Sequence, residues 1–163
     1  MSLLDRFSEG FAKVSDFFTN SKATVASDGT NETLRYTKRA RADYKVLRDA
    51  FDKPNTGGRA MFVKELANDP VKVQALREAG VPESVINNMK KGEIGSPDWQ
   101  VHHKRPIDDG GDNSFDNLVL IKNEPAHKVI TNFQRERTGS LKDGETLIIN
   151  DFPIIPGYVY ALP

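Results

Sequence analysis

All three histidines of this 163-residue chain, His102, His103 and His127, fall within one segment. In that segment residues 99–103 alternate as in a strand, residues 108–113 (DDGGDN) give a dense turn signal, residues 118–121 (LVLI) read as a second short strand, and residues 124–137 can form a helix. Imidazole is a common neutral metal ligand and titrates near physiological pH. The segment therefore predicts a compact strand–loop–strand–helix unit with a chemical site.

The spacing of the histidines suggests two different tasks. Neighbouring residues of a strand point to opposite faces, so His102 and His103 cannot easily bind the same ion. We expect one of them to face a metal and the other to stay free to accept a proton. His127 lies near the start of the following helix and can return toward the same point.

Composition excludes several classes of protein. The absence of cysteine rules out a disulfide scaffold, a thiolate zinc finger, an iron–sulfur protein and a cysteine nucleophile. No apolar run approaches the ~20 residues that span a bilayer, so we expect no stable membrane insertion. Asp5 and Arg6 interrupt the opening leucines, and we therefore expect no export by the general secretory route.

The chain up to about residue 92 is predicted to be helical. Apolar residues at helical spacing predict an amphipathic helix over 3–18, followed by a polar linker over 19–31. Further helices are predicted over 32–52, 59–67, 70–79 and 83–91, and a last strand over 146–149. The predicted class is α+β, with an N-terminal helix and linker (1–34), a helical support region (35–95) and a C-terminal unit (96–163).

Charge is balanced overall, with 23 basic and 23 acidic residues, but one stretch is basic. Between Arg35 and Arg59, eight basic residues outnumber three acidic ones. This stretch is either an ordinary solvated helix face or a surface that binds phosphates.

The central segment resembles a known family. The residues that carry the likeness are Val101-His102-His103-Lys104-Arg105-Pro106-Ile107, Gly110-Gly111, Asn117-Leu118 and His127. They resemble the HNH, or ββα-metal, nuclease motif, and most closely the DNase domains of colicins, S-type pyocins and related bacterial toxins. Short helices before the motif extend the resemblance to roughly residues 59–132.

The resemblance implies a role for each motif residue. His102 and His127 would bind a divalent metal ion (Mg²⁺, Mn²⁺, Zn²⁺ or Ni²⁺), and His103 would be the general base. Asn117 would fix the loop so that His103 faces the scissile phosphate, and the glycines at 110–111 would permit the turn.

Two basic residues lie directly beside the histidine pair. Lys104 and Arg105 either donate to neighbouring phosphates as charge-assisted hydrogen-bond donors or are solvated charges at a strand end.

Two positions depart from the toxin DNases. Thr131 stands where those proteins place a further metal-binding histidine, and Gln100 stands where they carry a glutamate. Losing the second helical imidazole weakens the case for tight zinc binding, and an oxygen from Thr131 or Asn132 would favour Mg²⁺ or Mn²⁺.

The resemblance predicts a largely sequence-nonspecific DNA endonuclease that acts as a bacteriocin-like antibacterial toxin. Its partners would be DNA, a cognate immunity protein and components of a secretion machine. It would be made in the cytoplasm and delivered into the cytoplasm of a target cell. The alternatives are an HNH nuclease of a phage or mobile element, an RNase, and a non-catalytic, metal-stabilised DNA-binding or interaction module.

Overall fold

The computed structural model describes residues 31–161. Its helices are α1 (Arg41–Asp52), α2 (Gly58–Asn68), α3 (Pro70–Glu78), α4 (Glu83–Met89) and α5 (Lys128–Thr138). Its strands are β1 (Asn31–Thr37), β2 (Trp99–His103), β3 (Leu118–Lys122), β4 (Thr146–Pro153) and β5 (Val159–Tyr160). A 3₁₀ turn (Phe115–Asn117) precedes β3, and a π-helical turn (Asn123–His127) precedes α5. The mixed content confirms the expected α+β class. Among these residues, no helix is both long and apolar enough to cross a membrane.

The short helices α2 to α4 form where the sequence predicted them, because turn residues separate them. The carboxylate of Asp69 caps α3 by accepting from the backbone N–H of Val71 at 2.9 Å, and Pro70 occupies the first turn. Gly80, with φ of +87°, follows the end of the same helix. The predictions over 59–67, 70–79 and 83–91 are therefore confirmed.

The central sheet has the order β2-β3-β5, with β2 and β3 antiparallel and β5 parallel to β3. Apolar clusters cover both of its faces. On one face Val101 and Leu120 pack with Phe62 of α2, and on the other Val119 packs with Ile130 of α5. The predicted strand–loop–strand–helix order is confirmed, and the strand β5 was not predicted.

The prediction of one helix over 32–52 is wrong in its first part. Residues 31–37 form β1, which pairs with β4 in an antiparallel two-stranded sheet, and the helix begins only at Arg41. Tyr36 is buried because the alternation of this strand turns it onto Phe133 and Phe152. The region before residue 92 is thus not entirely helical. The helix predicted over 3–18 lies outside the described residues.

The predicted last strand is present and longer than expected, since β4 runs over residues 146–153. Pairing with β1 extends it. Because β1 crosses residue 34 and bonds to the C-terminal unit, the division of the chain at 34 and 95 stays a prediction.

The segment after β1 anchors the loop that joins β2 to β3. The Arg39 guanidinium donates to the carbonyls of Ile107 and Asp109, both at 2.8 Å, and to that of Gly111 at 2.9 Å. The backbone N–H of Thr37 donates to the Asp109 carboxylate at 2.8 Å. These bonds hold the loop closed beside the two histidines of β2.

We predict that Gly111→Ala destabilises the protein, whereas Gly110→Ala is tolerated. A Cβ on Gly111 would lie 2.0 Å from the backbone oxygen of Arg105, but one on Gly110 would meet the flexible end of the Arg105 side chain at 3.0 Å. Urea denaturation should show a loss of about 3 kcal/mol or more for Gly111→Ala. Equal stability of the two variants would contradict this account of the loop.

Candidate functional site

The pleat of β2 separates its two histidines. His102 lies opposite Val119 and His103 lies opposite Leu118 in the pairing with β3. Val119 belongs to the apolar cluster with α5, whereas Leu118 belongs to the cluster with the N-terminal helices. His102 therefore faces α5, and His103 faces α1 and α2.

His102 and His127 meet on the α5 side of the sheet. Their ring centroids are 5.4 Å apart and their planes are nearly perpendicular, at 78°. Burial, followed by the nearby charges of His127 and His103, lowers the pKa of His102 to about 3. Burial also lowers the pKa of His127. Both imidazoles are therefore neutral at pH 7, the state in which a ring nitrogen can bind a cation.

The two positions that depart from the toxin DNases lie in this region. Thr131, one turn further along α5 than His127, has its Oγ1 3.5 Å from His127 Nε2. Gln100 lies on the same face of β2 as His102, but its Nε2 donates to Asn123 Oδ1 at 2.7 Å. Gln100 thus holds the turn before α5, and Thr131 places a hydroxyl beside the imidazole pair.

These residues fit a divalent cation with open positions. His102 is only 7 % exposed, and within the described chain no hydrogen bond reaches its ring. No group of three or more His, Cys, Asp or Glu side chains able to hold a metal is present among residues 31–161. His102 and His127 would supply two nitrogens and Thr131 an oxygen, and water or phosphate would complete the coordination.

His103 occupies a different environment on the opposite face. His103 is 8 % exposed, and its ring packs on the Phe51 ring with the centroids 4.4 Å apart. Its Nε2 lies 2.9 Å from Asn113 Oδ1. Burial lowers the pKa of His103, and the hydrogen bond with Asn113 opposes that shift. His103 is therefore a neutral imidazole with one nitrogen already engaged.

Two arginines flank His103 and share one carboxylate. Arg48 Nε donates to Asp52 at 2.8 Å, and Arg59 Nη2 donates to the other oxygen of Asp52 at 2.5 Å. Both guanidinium groups lie over the Phe51 ring, 5.6 Å and 4.6 Å from its centroid. Their positive charges also lower the pKa of His103, whereas Asp52 raises it. The two arginines concentrate positive charge beside a neutral imidazole.

One cavity of about 620 Å³ joins the two histidine environments. His102, His103 and His127 all border it, together with Thr131. The charged side chains along its described wall are Arg48, Arg59, Arg135 and Asp108. Asp108 is engaged elsewhere, because it accepts from the Tyr36 hydroxyl at 2.5 Å. Arg48 and Arg59 share the single carboxylate of Asp52, so the wall carries a net positive charge, which suits an anionic ligand.

Three other predicted site residues lie in the loop between β2 and β3 rather than along the cavity. Asn117 cross-links this loop through hydrogen bonds. Its Nδ2 donates to the carbonyls of Arg105 and Asp112, and its Oδ1 accepts from the Arg105 N–H. Arg105 pairs with the buried Asp109 at 2.8 Å. Burial lowers the pKa of Lys104. Neither Lys104 nor Arg105 lines the cavity, so their binding to phosphate stays a prediction.

Sequence reasoning missed residues that the fold brings to the cavity. Arg48 and Arg59 belong to the basic stretch that we identified, but nothing local distinguished them from the other cations there. Arg135 lies on α5 close to Thr131. Asn113, which contacts His103, was read only as part of a turn. The basic stretch between Arg35 and Arg59 was the only sequence signal for Arg48 and Arg59. Which of its cations reach the cavity depends on tertiary packing.

Comparison with known proteins bears on the same segment. Residues 89–122 match the family model described as HNH endonuclease. This segment includes His102, His103 and Asn117, and His127 follows it. An HNH endonuclease domain implies a metal-dependent nuclease, and the match supports the expected function at this general level. The narrower likeness to colicin and pyocin DNases receives no support from this match.

A longer protein shares part of the chain. A stretch of 72 residues is 46% identical to "Uncharacterized protein YhhZ" of Escherichia coli (strain K12), and covers 44% of this chain. The same stretch covers 18% of that protein, so the chain spans less than a fifth of the curated relative that it matches. No solved structure matches the chain.

We predict that His102→Ala and His127→Ala each weaken the binding of Mn²⁺ or Zn²⁺ by about 100-fold or more, because each removes one of the two proposed nitrogen ligands. His103→Ala is the matched control, since its ring lies on the other face of the sheet, and it should retain metal affinity. Isothermal titration of the purified variants measures this. Equal loss in all three variants would contradict the division of tasks.

The geometry also predicts a gain of affinity. Thr131 lies next to His127 Nε2, so Thr131→His should add a third imidazole and tighten Zn²⁺ binding by about 10-fold or more. Thr131→Val, which has no nitrogen, provides the control in the same titration. Unchanged affinity in Thr131→His would place the metal away from this turn of α5.

Proposed function

We propose that this chain is a metal-dependent DNA endonuclease in which His103 is the general base and one divalent cation is held by His102 and His127. One observation carries the proposal: a neutral imidazole pair and a separate neutral imidazole border the same cavity from opposite faces of a two-strand unit. Hydrolysis of a phosphodiester requires both a base and relief of negative charge, and the two environments match these needs.

His103 is suited to accept a proton from the attacking water. Its burial and the nearby guanidinium groups keep it neutral, so it offers a lone pair at neutral pH. A positioned general base contributes about 10²–10⁴-fold to the rate. A divalent cation at His102 and His127, when bound, supplies charge stabilisation at the phosphate and its leaving oxygen.

Arg48, Arg59 and Arg135 are the proposed phosphate contacts. They line the cavity with guanidinium groups, which donate paired hydrogen bonds to phosphate oxygens. Asp52 already orders Arg48 and Arg59 and so lowers the entropy lost when they bind substrate. Contacts with the phosphate backbone of DNA do not distinguish one base from another, and we therefore propose cleavage that is largely independent of DNA sequence.

We predict that the purified protein nicks or degrades plasmid DNA when Mg²⁺, Mn²⁺, Ni²⁺ or Zn²⁺ is supplied, and that a chelator stops the reaction. His103→Ala should lower the rate by about 10²–10⁴-fold, since it removes the base but leaves the metal pair intact. Gel assays over a series of ions measure both effects. Cleavage that persists unchanged in His103→Ala would overturn the role of this residue.

The same assay separates the remaining alternatives. A preference for RNA would redirect the substrate assignment, and selection of one target sequence would favour a phage or mobile-element nuclease. Metal binding without cleavage of either nucleic acid would favour a non-catalytic module. His103 argues against that last reading, because a purely structural metal site makes no use of an imidazole on the opposite face.

The proposed biological role is that of an antibacterial toxin delivered by a secretion machine into the cytoplasm of a target cell. It rests on the likeness of the motif to bacterial toxin DNases. An immunity protein would protect the producing cell, and the positive wall of the cavity fits an acidic inhibitor.

We predict that expression of the chain in bacterial cytosol arrests growth and fragments the chromosome. Expression of His103→Ala at the same level should be harmless, because the effect depends on cleavage. Growth curves and DNA staining measure the outcome. Unimpaired growth with the active wild-type nuclease present would contradict the toxin role.

A further inference from the structure

Asn113 connects the general base to helix α1. Its Oδ1 lies 2.9 Å from His103 Nε2, and its Nδ2 donates to the backbone carbonyl of Leu47 at 3.0 Å. Leu47 directly precedes Arg48, which lines the same cavity. The side-chain amide of Asn113 therefore links the His103 imidazole to helix α1, whose Arg48 lines the cavity.

The second bond determines which way round the amide lies. The carbonyl of Leu47 can only accept, so the NH₂ group of Asn113 must face it. The oxygen of the amide then faces His103, and this oxygen can only accept as well. The proton of the neutral His103 ring must therefore be on Nε2, and the lone pair is left on Nδ1.

Packing keeps the Asn113 side chain in this position. A Cβ built on Gly58, at the start of α2, would lie 3.3 Å from the Cβ of Asn113 and 3.1 Å from the Phe51 ring. The absence of a side chain at Gly58 thus leaves room for the Phe51 ring and the Asn113 side chain, which both contact His103. On the other side, the Asp112 carboxylate accepts from the backbone N–H of Ser114 at 3.0 Å and orders the turn around Asn113.

Asn117 does not provide this contact. Its three hydrogen bonds all go to the backbone of the β2–β3 loop. Within the described chain, the hydrogen-bond partner of the His103 ring is Oδ1 of Asn113. The two asparagines of the loop therefore have different tasks: one shapes the loop, and the other orients the ring.

We propose that Asn113 is a positioning residue that fixes His103 in the Nε2–H tautomer, so that Nδ1 is the atom that accepts the proton of the attacking water. The catalytic consequence rests on the proposed nuclease function. The tautomer itself does not, because it follows from the two hydrogen bonds of one amide.

Two substitutions separate the contact with His103 from the contact with Leu47. Asn113→Asp keeps an oxygen that can accept from Nε2–H but loses the donor to the Leu47 carbonyl. Asn113→Ala loses both. If Asn113 acts through His103, Asn113→Ala should lower kcat by about 10- to 100-fold, part of the general-base contribution, with KM for DNA nearly unchanged, and Asn113→Asp should recover most of kcat. Equal kcat values in the two variants would reduce Asn113 to an anchor for α1 and overturn the proposal.

The tautomer can be read directly. The chain has 3 histidines, so long-range ¹H–¹⁵N spectra of the metal-free protein are simple, and the His103→Ala variant identifies the signal of His103. At a pH where the ring is neutral, the wild type should carry its proton on Nε2, and Asn113→Ala should show both tautomers. A wild-type ring protonated at Nδ1 would overturn the proposal even if DNA is cut. The Nε2–H tautomer in a protein that cuts no nucleic acid would instead overturn the proposed nuclease function.

Discussion

The alternation of β2, held in register against β3, is the constraint on which the site depends. Both faces of this strand pair are covered by apolar clusters, so a slip of one residue would exchange the side chains of the two faces and disrupt the packing of both clusters. The register that buries Val119 and Leu118 also assigns His102 to α5 and His103 to α1 and α2. The hydrophobic core thus separates the proposed metal-binding pair from the proposed base.

Burial then gives these imidazoles their chemistry. It is the largest cause of the lowered pKa of His102, His103 and His127, and so keeps all three rings neutral. Neutral rings can bind a cation or accept a proton, whereas imidazolium can do neither. The arginines add to the effect at His103 and offer phosphate contacts at the same time. A single cavity therefore brings together the proposed metal ligands, the proposed base and positive charge.

Local signals predicted much of this structure, and distant contacts account for what they missed. Caps and turns located α2 to α4, and the clustering of the three histidines indicated the candidate site. The strand β1 was read as helix because its partner is remote: Thr37 faces Thr146, 109 residues away. Likewise, the selection of Arg48 from a basic stretch, and of Asn113 from a turn, depends on how α1 packs against the loop. Local sequence patterns do not predict that packing.

The location of the cation tests the central claim most directly. Crystals grown with Mn²⁺ should give one strong anomalous peak within coordination distance of both the His102 and His127 rings, on the α5 side of β2, with His103 outside the coordination sphere. A peak bound by His103, or a peak that contacts only one ring of the pair, would contradict the separation of metal and base on which this account stands.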